Sequence, residues 1–347
     1  MDDILTMQVW IPRYKYKVWN YNADGTKSSN EQQIEITIEN GTNTTGEISC
    51  QDSISGADGA ASETCKLKST NETCTDSTCN NKTYTHPAFT FGDKEIKGFW
   101  IGKFELTGTI SSITTKPNLS SIRNQPVNGF ETNIMNMKNS NNQYGFSTNT
   151  DTHMIKNSEW GAVAYLSHSK YGTCTSGSCT EIGVNNNSNF ITGCGASPGS
   201  SSSATCNTYN TSNGMLASTT HNIYGVYDMS GGAYEYTMAN IVSNDGTTMI
   251  PSSSGFTTHP DAKYYDKYSY STSYSSRIRS KLGDGIKEVY KGDEGWYGDG
   301  SYLAISNFPW FNRGGFCLNG TNAGAFSSGS NNGNAGSGAS SRLIITP

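Results

Sequence analysis

Nine cysteines and five histidines are the side chains of this 347-residue chain best suited to chemistry. Cys74 and Cys79 are separated by four small polar residues, and so are Cys174 and Cys179. Cys194 and Cys206 bracket a Ser/Gly loop, and Cys50 and Cys65 bracket a further polar segment. These spacings predict four local disulfides, with Cys317 left single. Structural zinc favours tighter C-x2-C pairs with histidine partners, a pattern these cysteines do not show. Disulfides would place the chain in an oxidising compartment. The histidines (His86, His153, His168, His221 and His259) are scattered, and none stands near Cys317 as a base. No G-x-S-x-G occurs in a strand-turn-helix context. Asp293, Glu294 and Asp299 lie in a glycine-rich stretch and form a candidate calcium set, since calcium takes hard oxygen ligands. Their spacing is not that of an EF-hand, and turn chemistry accounts for the same residues. No cofactor is called for.

The elements that must position these groups belong to a loop-rich, β-leaning chain. Only 33% of residues are hydrophobic and 15% charged, while 38 glycines and 20 tyrosines are present. Aromatics must supply much of the core. A net charge of −5 with no basic run gives no footprint for nucleic acid. No apolar run approaches the ~18 residues of a membrane span. The opening Met1-Asp2-Asp3-Ile4 is acidic, unlike the basic start of a signal peptide.

Period-two alternation predicts strands over residues 8–20, with Ile11, Tyr14, Tyr16 and Val18 on the apolar face, and over 33–38. Residues 97–107 read as a buried strand. Helices are expected over 128–138, with Phe130, Ile134 and Met137 on one face, and over 157–167. In the second, Asn157 is the expected N-cap, Glu159 favours the first turn, and Trp160, Val163, Ala164 and Ser167 make the face. Residues 40–84 and 169–217 read as polar, disulfide-stapled insertions. The stretch 222–236 reads as a glycine turn joining two buried strands, and 250–276 as a Ser/Tyr-rich loop.

The C-terminal stretch from Phe308 to Ile345 is the most informative. It opens on Trp310-Phe311-Asn312-Arg313-Gly314-Gly315 and closes on Arg342-Leu343-Ile344-Ile345, a short buried strand by pattern. Residues 316–341 contain no Lys, Arg, Asp, Glu, Gln, Met or Trp. Composition alone would leave such a run disordered. Pinned between two apolar anchors, it reads instead as a surface loop or as a binding surface on a rigid scaffold.

Several motifs together carry a family resemblance. The Phe99-Trp100-Ile101-Gly102-Lys103-Phe104-Glu105-Leu106-Thr107 strand, the helix around Glu159-Trp160 and the Gly225-Val226-Tyr227-Asp228-Met229-Ser230-Gly231-Gly232 motif resemble formylglycine-generating-enzyme domains. Val9-Trp10-Ile11-Pro12-Arg13 is similar to that family's opening strand. The segment containing Asn319-Gly320-Thr321-Asn322-Ala323-Gly324 and Asn331-Asn332-Gly333-Asn334-Ala335 resembles the variable region of diversity-generating retroelement target proteins, which use this C-type lectin fold. In such systems randomised AAC codons cannot encode Trp, Met, Lys, Glu or Gln, and residues 316–341 lack all five.

The resemblance implies a single α+β, C-type lectin-like domain over 1–347, with two helices against small antiparallel sheets. A variable segment would span about 308–342. It implies a non-enzymatic, extracellular protein of a bacterial cell surface or phage virion that recognises a protein or glycan ligand on a cell or virion surface. Ligand contacts would come from Phe316, Cys317, Leu318, Ala325, Ser327, Ser328, Gly329, Ser330, Gly336, Ser337, Gly338, Ala339 and Ser340. Trp310, Arg313, Gly315, Phe326 and Arg342 would hold the backbone beneath them. These contact residues are mostly small, so the expected patch is flat, with one apolar spot at Phe316 and Leu318. The family's oxidases use a C-terminal cysteine pair, and Cys317 has no second cysteine after it; the related His-x3-His-x-Glu triad is also missing. At the metal-ligand motif Gly232 stands where the family has Asn, which puts those ligands in doubt. The alternatives are a fixed adhesive surface protein, with a face at 263–276, and a degenerate oxidase.

Overall fold

The computed structural model describes residues 4–18 and 31–347; Trp19 and Asn20 of the first expected strand lie outside them. The strands that matter for the site are β1 (Gln8–Pro12), β2 (Tyr14–Lys17), β3 (Ile36–Ile38), β4 (Ile48–Asp52), β5 (Glu63–Leu67), β6 (Thr73–Cys74), β7 (Thr83–Thr85) and β8 (Gly98–Gly102). Helix α1 (Val127–Met135), β9 (Asp151–Met154) and helix α2 (Asn157–Ser167) follow. The C-terminal half adds β10 (Tyr234–Ile241), β11 (Asp266–Tyr268), β12 (Trp310–Arg313), β13 (Ser328–Asn331), β14 (Ala339–Ser340) and β15 (Leu343–Thr346).

The expected alternation over 8–20 is present, with Ile11, Tyr14, Tyr16 and Val18 buried. It divides between two sheets. Pro12 cannot donate to a ladder, and Arg13 turns inward to pair with Glu39 at 2.9 Å. β1 then pairs with β8, and β2 with β3 and β7. One sheet runs β1-β8-β15-β9, all antiparallel, so β15 lies inside a sheet that has β1 at one edge and β9 at the other. A second places β11, β12 and β14 directly on β10, with β13 on β12. The third runs β3-β2-β7-β4-β5-β6. The sheets are not purely antiparallel: β11 and β14 lie parallel to β10, and β4 is parallel to β7. The chain is therefore α+β with small sheets and few helices.

Residues 40–84 are not an appendage. They supply four of the six strands of the third sheet, and Ile48, Cys65, Cys74, Cys79 and Tyr84 join the main core. The half-cystines themselves provide apolar surface that a hydropathy reading undercounts. All four expected disulfides are present: Cys50–Cys65, Cys74–Cys79, Cys174–Cys179 and Cys194–Cys206.

Both helices lie where the periodicity put them. α1 continues into a 3-10 turn over Asn136–Lys138 and buries Phe130, Ile134 and Met137 against Met154, Tyr236, Trp310 and Leu343. α2 is buried nearly all round, with only Leu166 partly exposed, rather than on one face. Its cap also differs from expectation. Lys156 occupies the N-cap, and Glu159 accepts its backbone N–H at 2.9 Å. Asn157 lies inside the helix, where its side chain donates to the Tyr268 hydroxyl and accepts from Thr237. In 222–236 only the segment after the turn is a strand, β10. Gly231 and Gly232 hold φ of 75° and 72°, and a Cβ on Gly232 would lie 2.4 Å from Glu105 Oε1. The Glu105 carboxylate fills the place a side chain would take and accepts from Ala233 N–H at 2.9 Å.

Candidate binding face

The small-residue segment is anchored at both ends by buried arginines. Arg313, at the end of β12, donates to the carbonyls of Ser327 (2.9 Å), Asp284 (2.7 Å) and Gly285 (3.2 Å). Burial pulls its guanidinium down to about 10. Arg342, just before β15, donates to both Glu235 oxygens and to the Gly102 carbonyl. Trp310 Nε1 donates to Pro251 O at 3.1 Å, and Phe326 is buried against His168 and Trp296. Gly315 (φ 75°) would carry a Cβ 2.6 Å from Ala323 Cα, so no larger residue fits without moving the backbone. All five expected scaffold residues are buried beneath the segment.

The thirteen expected contact residues divide. Leu318 and Ser337 are exposed; Phe316, Gly329, Ser330, Gly336 and Gly338 are half-buried. Cys317, Ala325, Ser327, Ser328, Ala339 and Ser340 are buried and present no surface. They belong with the scaffold: Ala339 and Ser340 form β14 inside the second sheet, and Ser328 bonds Tyr302. Sequence alone could not separate them, because a small residue reads the same on either side of a strand.

The face carries one shallow depression. In the β12–β13 pair, Asn312 lies opposite Gly329 and Phe311 opposite Ser330. Gly329 lets the Asn312 carboxamide lie across the strand; a Cβ there would be 2.3 Å from Asn312 Oδ1. Tyr274 and Tyr302, edge to face at 6.2 Å, stand on one side of this floor, and Tyr234 on the other. With Ser330 and Asn331 they line a shallow, open cleft of about 370 Å³. Tyr234 stacks on Phe316 at 5.2 Å, Phe316 meets Phe190 at 5.4 Å, and the Arg123 guanidinium covers Phe190 at 4.2 Å. Apart from Phe316, the aromatic groups come from four separate segments outside the small-residue run. Local sequence does not mark them: Tyr264, Tyr265 and Tyr268 are buried, yet Tyr274 in the same Ser/Tyr-rich stretch is exposed.

The other candidate groups do not assemble. Asp293 and Glu294 are exposed, while Asp299 is buried and accepts from Phe326 N–H at 2.8 Å. Among the described residues only Cys50, Glu63 and Cys65 bring three metal-ligating atoms together, and both thiols are spent in a disulfide. A larger cleft, about 780 Å³, is lined by charged groups several of which already have partners. Lys281 pairs with Asp52 at 2.6 Å, Asp266 accepts from Ser158 N–H, and Asp284 accepts from Lys281, Ile286 and Lys287 N–H. No described helix is long and apolar enough to cross a membrane.

Cys317 is 1% exposed, and burial pushes its thiol up to about 11. A buried neutral thiol is unreactive. The native chain at pH 8 should therefore resist iodoacetamide, while one thiol per chain reacts in denaturant without reductant. Rapid labelling of the native chain would refute this placement.

The buried groups beside β15 set a pH dependence. His153, opposite Ile344, is fully buried. Burial alone would lower it, but Glu159 at 2.9 Å and Asp151 at 3.3 Å raise it to about 9. Burial holds Glu131 and Glu235 at about 7. Groups raised on folding stabilise fully below their unfolded values, and that contribution is lost as pH climbs through their folded values. Chemical denaturation should thus show stability rising from pH 8.5 to 6.5, with His153 contributing on the order of 2 kcal/mol. His153→Gln should flatten the slope. A wild-type profile that is flat or falls over this range would show that His153 is not held charged.

No protein-family model matches the chain, and no curated protein matches it.

Proposed function

We infer that the chain is a non-enzymatic target-binding protein of a bacterial cell surface or phage virion. Its segment 308–342 is varied by a diversity-generating retroelement on a C-type lectin fold of the formylglycine-generating-enzyme type. The observation that carries this reading is the clamping, at both ends, of a charge-free segment made mostly of small residues. Arg313 and Arg342 fix its ends from below, so its surface residues can change while the backbone stays. Loops on a rigid scaffold are where binding residues concentrate. Phe316, Leu318, Gly329, Ser330, Gly336, Ser337 and Gly338 are the positions whose variation would alter the target. Four disulfides agree with an oxidising, extracellular setting.

The adhesive alternative, centred on 263–276, is weakened by the burial of Tyr264, Tyr265 and Tyr268. An oxidase is disfavoured by the buried, protonated state of Cys317. The test is the DNA around the gene. A near-copy of the segment encoding 308–342, differing only at adenines and next to a reverse transcriptase, is expected. The differing codons should fall on the seven surface positions more than on the six buried ones. Without such a copy, the diversification reading fails.

A further inference from the structure

The tyrosine cleft has a chemistry of its own, and its assignment depends on this face being the target-binding one. None of the described residues that line the cleft is charged. Phosphate, carboxylate and ammonium ligands therefore find no counter-ion there. Asn312 is only 5% exposed, yet it lines the cleft, where its carboxamide lies against Gly329. A carboxamide that reaches a cleft can exchange its water for the hydroxyls of a ligand. One carboxamide offers two donors and an acceptor side by side. Above it Tyr302 is 50% exposed and Tyr274 37%, well beyond what core tyrosines show. Tyrosine presents a broad apolar ring at low entropic cost, with a negative face that attracts the positive edges of C–H bonds. A volume of about 370 Å³ lies in the lower part of the ~300–1,000 Å³ range of small-ligand sites.

An apolar C–H face paired with a rim of neutral hydroxyls is the signature of a sugar ring. We propose that this cleft binds an uncharged pyranose unit of a surface glycan: the tyrosine walls stack on its C–H face, and Asn312 bonds two neighbouring hydroxyls. Ser330, half-buried on the floor, adds a further hydroxyl. Among the described residues the cleft is lined by no carboxylate, so this recognition proceeds without calcium. Variation at Gly329 and Ser330 would then change which sugar fits, because Gly329 sets how far the Asn312 amide reaches.

The experiment is saturation-transfer NMR on the full chain in EDTA. The probes are the methyl glycosides of glucose, galactose, mannose, fucose and N-acetylglucosamine, with N-acetylneuraminic acid and a sulfated disaccharide for contrast. At least one neutral glycoside should receive saturation on its ring hydrogens. Asn312→Ala and Tyr302→Ala should each weaken it by at least about tenfold, and Tyr224→Ala, on an exposed tyrosine that lines a different groove, should not. Tyr302 is half-exposed, so its variant reports on the cleft even should Asn312→Ala lose its circular dichroism. Binding of none of the neutral glycosides, binding of the charged probes alone, or binding indifferent to both cleft variants would overturn the proposal. An adenine-variant template copy found alongside a failed sugar titration would remove the saccharide and leave the target-binding reading standing.

Discussion

Arg342→Met is expected to destabilise the chain by ~3–5 kcal/mol, enough to unfold it under mild denaturant. Three carboxyls, from Glu105, Asp228 and Glu235, are buried around this one guanidinium. Burial pushes all three upward, and Glu105 is raised further by the other two. Removing the arginine they share leaves charge, or the cost of protonating it, in the interior. Arg342→Lys should not rescue. The guanidinium reaches both Glu235 oxygens and the Gly102 carbonyl at once, a fork that an ammonium cannot reproduce. Adding Glu235→Gln to Arg342→Met should recover part of the loss, because the two changes share one network. Urea denaturation of the four proteins checks this. An Arg342→Lys variant within ~1 kcal/mol of wild type would show that the fork is not required.

Gly161→Ala tests the packing of the central helix, and its sign is opposite to what helix chemistry predicts. Gly161 lies inside α2, where alanine normally gains roughly 1 kcal/mol over glycine. Here a Cβ would stand 2.0 Å from the Gly283 carbonyl oxygen and 2.8 Å from the Asp284 carbonyl carbon. These are backbone atoms of the loop whose next carbonyls bind Arg313. Neither can swing aside as a side chain would. Separating helix from loop would also loosen Asp284, which holds its own turn through three N–H bonds. The variant should lose about 2–4 kcal/mol, the range of overpacked cores with backbone shifts. It should also weaken the hold of Arg313 on the small-residue segment. A melting temperature equal to or above wild type would show that the helix and loop are not in such close contact.

Much of this molecule was legible in one dimension. The period-two run at Ile11, Tyr14 and Tyr16 and the 3.6-residue repeat at Phe130, Ile134 and Met137 report burial, because burial acts on each side chain through its own apolar surface. The cysteine spacings gave the right pairs, since short loops close with little choice of partner. The same logic failed where neighbours in space decide. Residues 40–84 looked polar, yet β4 to β7 complete a sheet started by β2. Asn157 has the chemistry of a cap, but Tyr268 and Thr237 claim its side chain.

The candidate binding face shows the division most clearly. Sequence by itself determined that a charge-free, small-residue run lies between an Arg313 anchor and an Arg342 anchor. Composition is local, and both arginines were recognisable beside their apolar partners. Only the tertiary structure decided which of those small residues meet solvent. Ser330 does, whereas Ser327, Ser328 and Ser340 are buried, with the same side chain in each case. Only the fold could bring Tyr234, Tyr274 and Tyr302 around Asn312, from positions up to 78 residues apart, 312 minus 234. A hydroxyl or a phenol ring costs little to bury or expose by itself; its place is set by what packs against it, and that partner lies elsewhere in the chain.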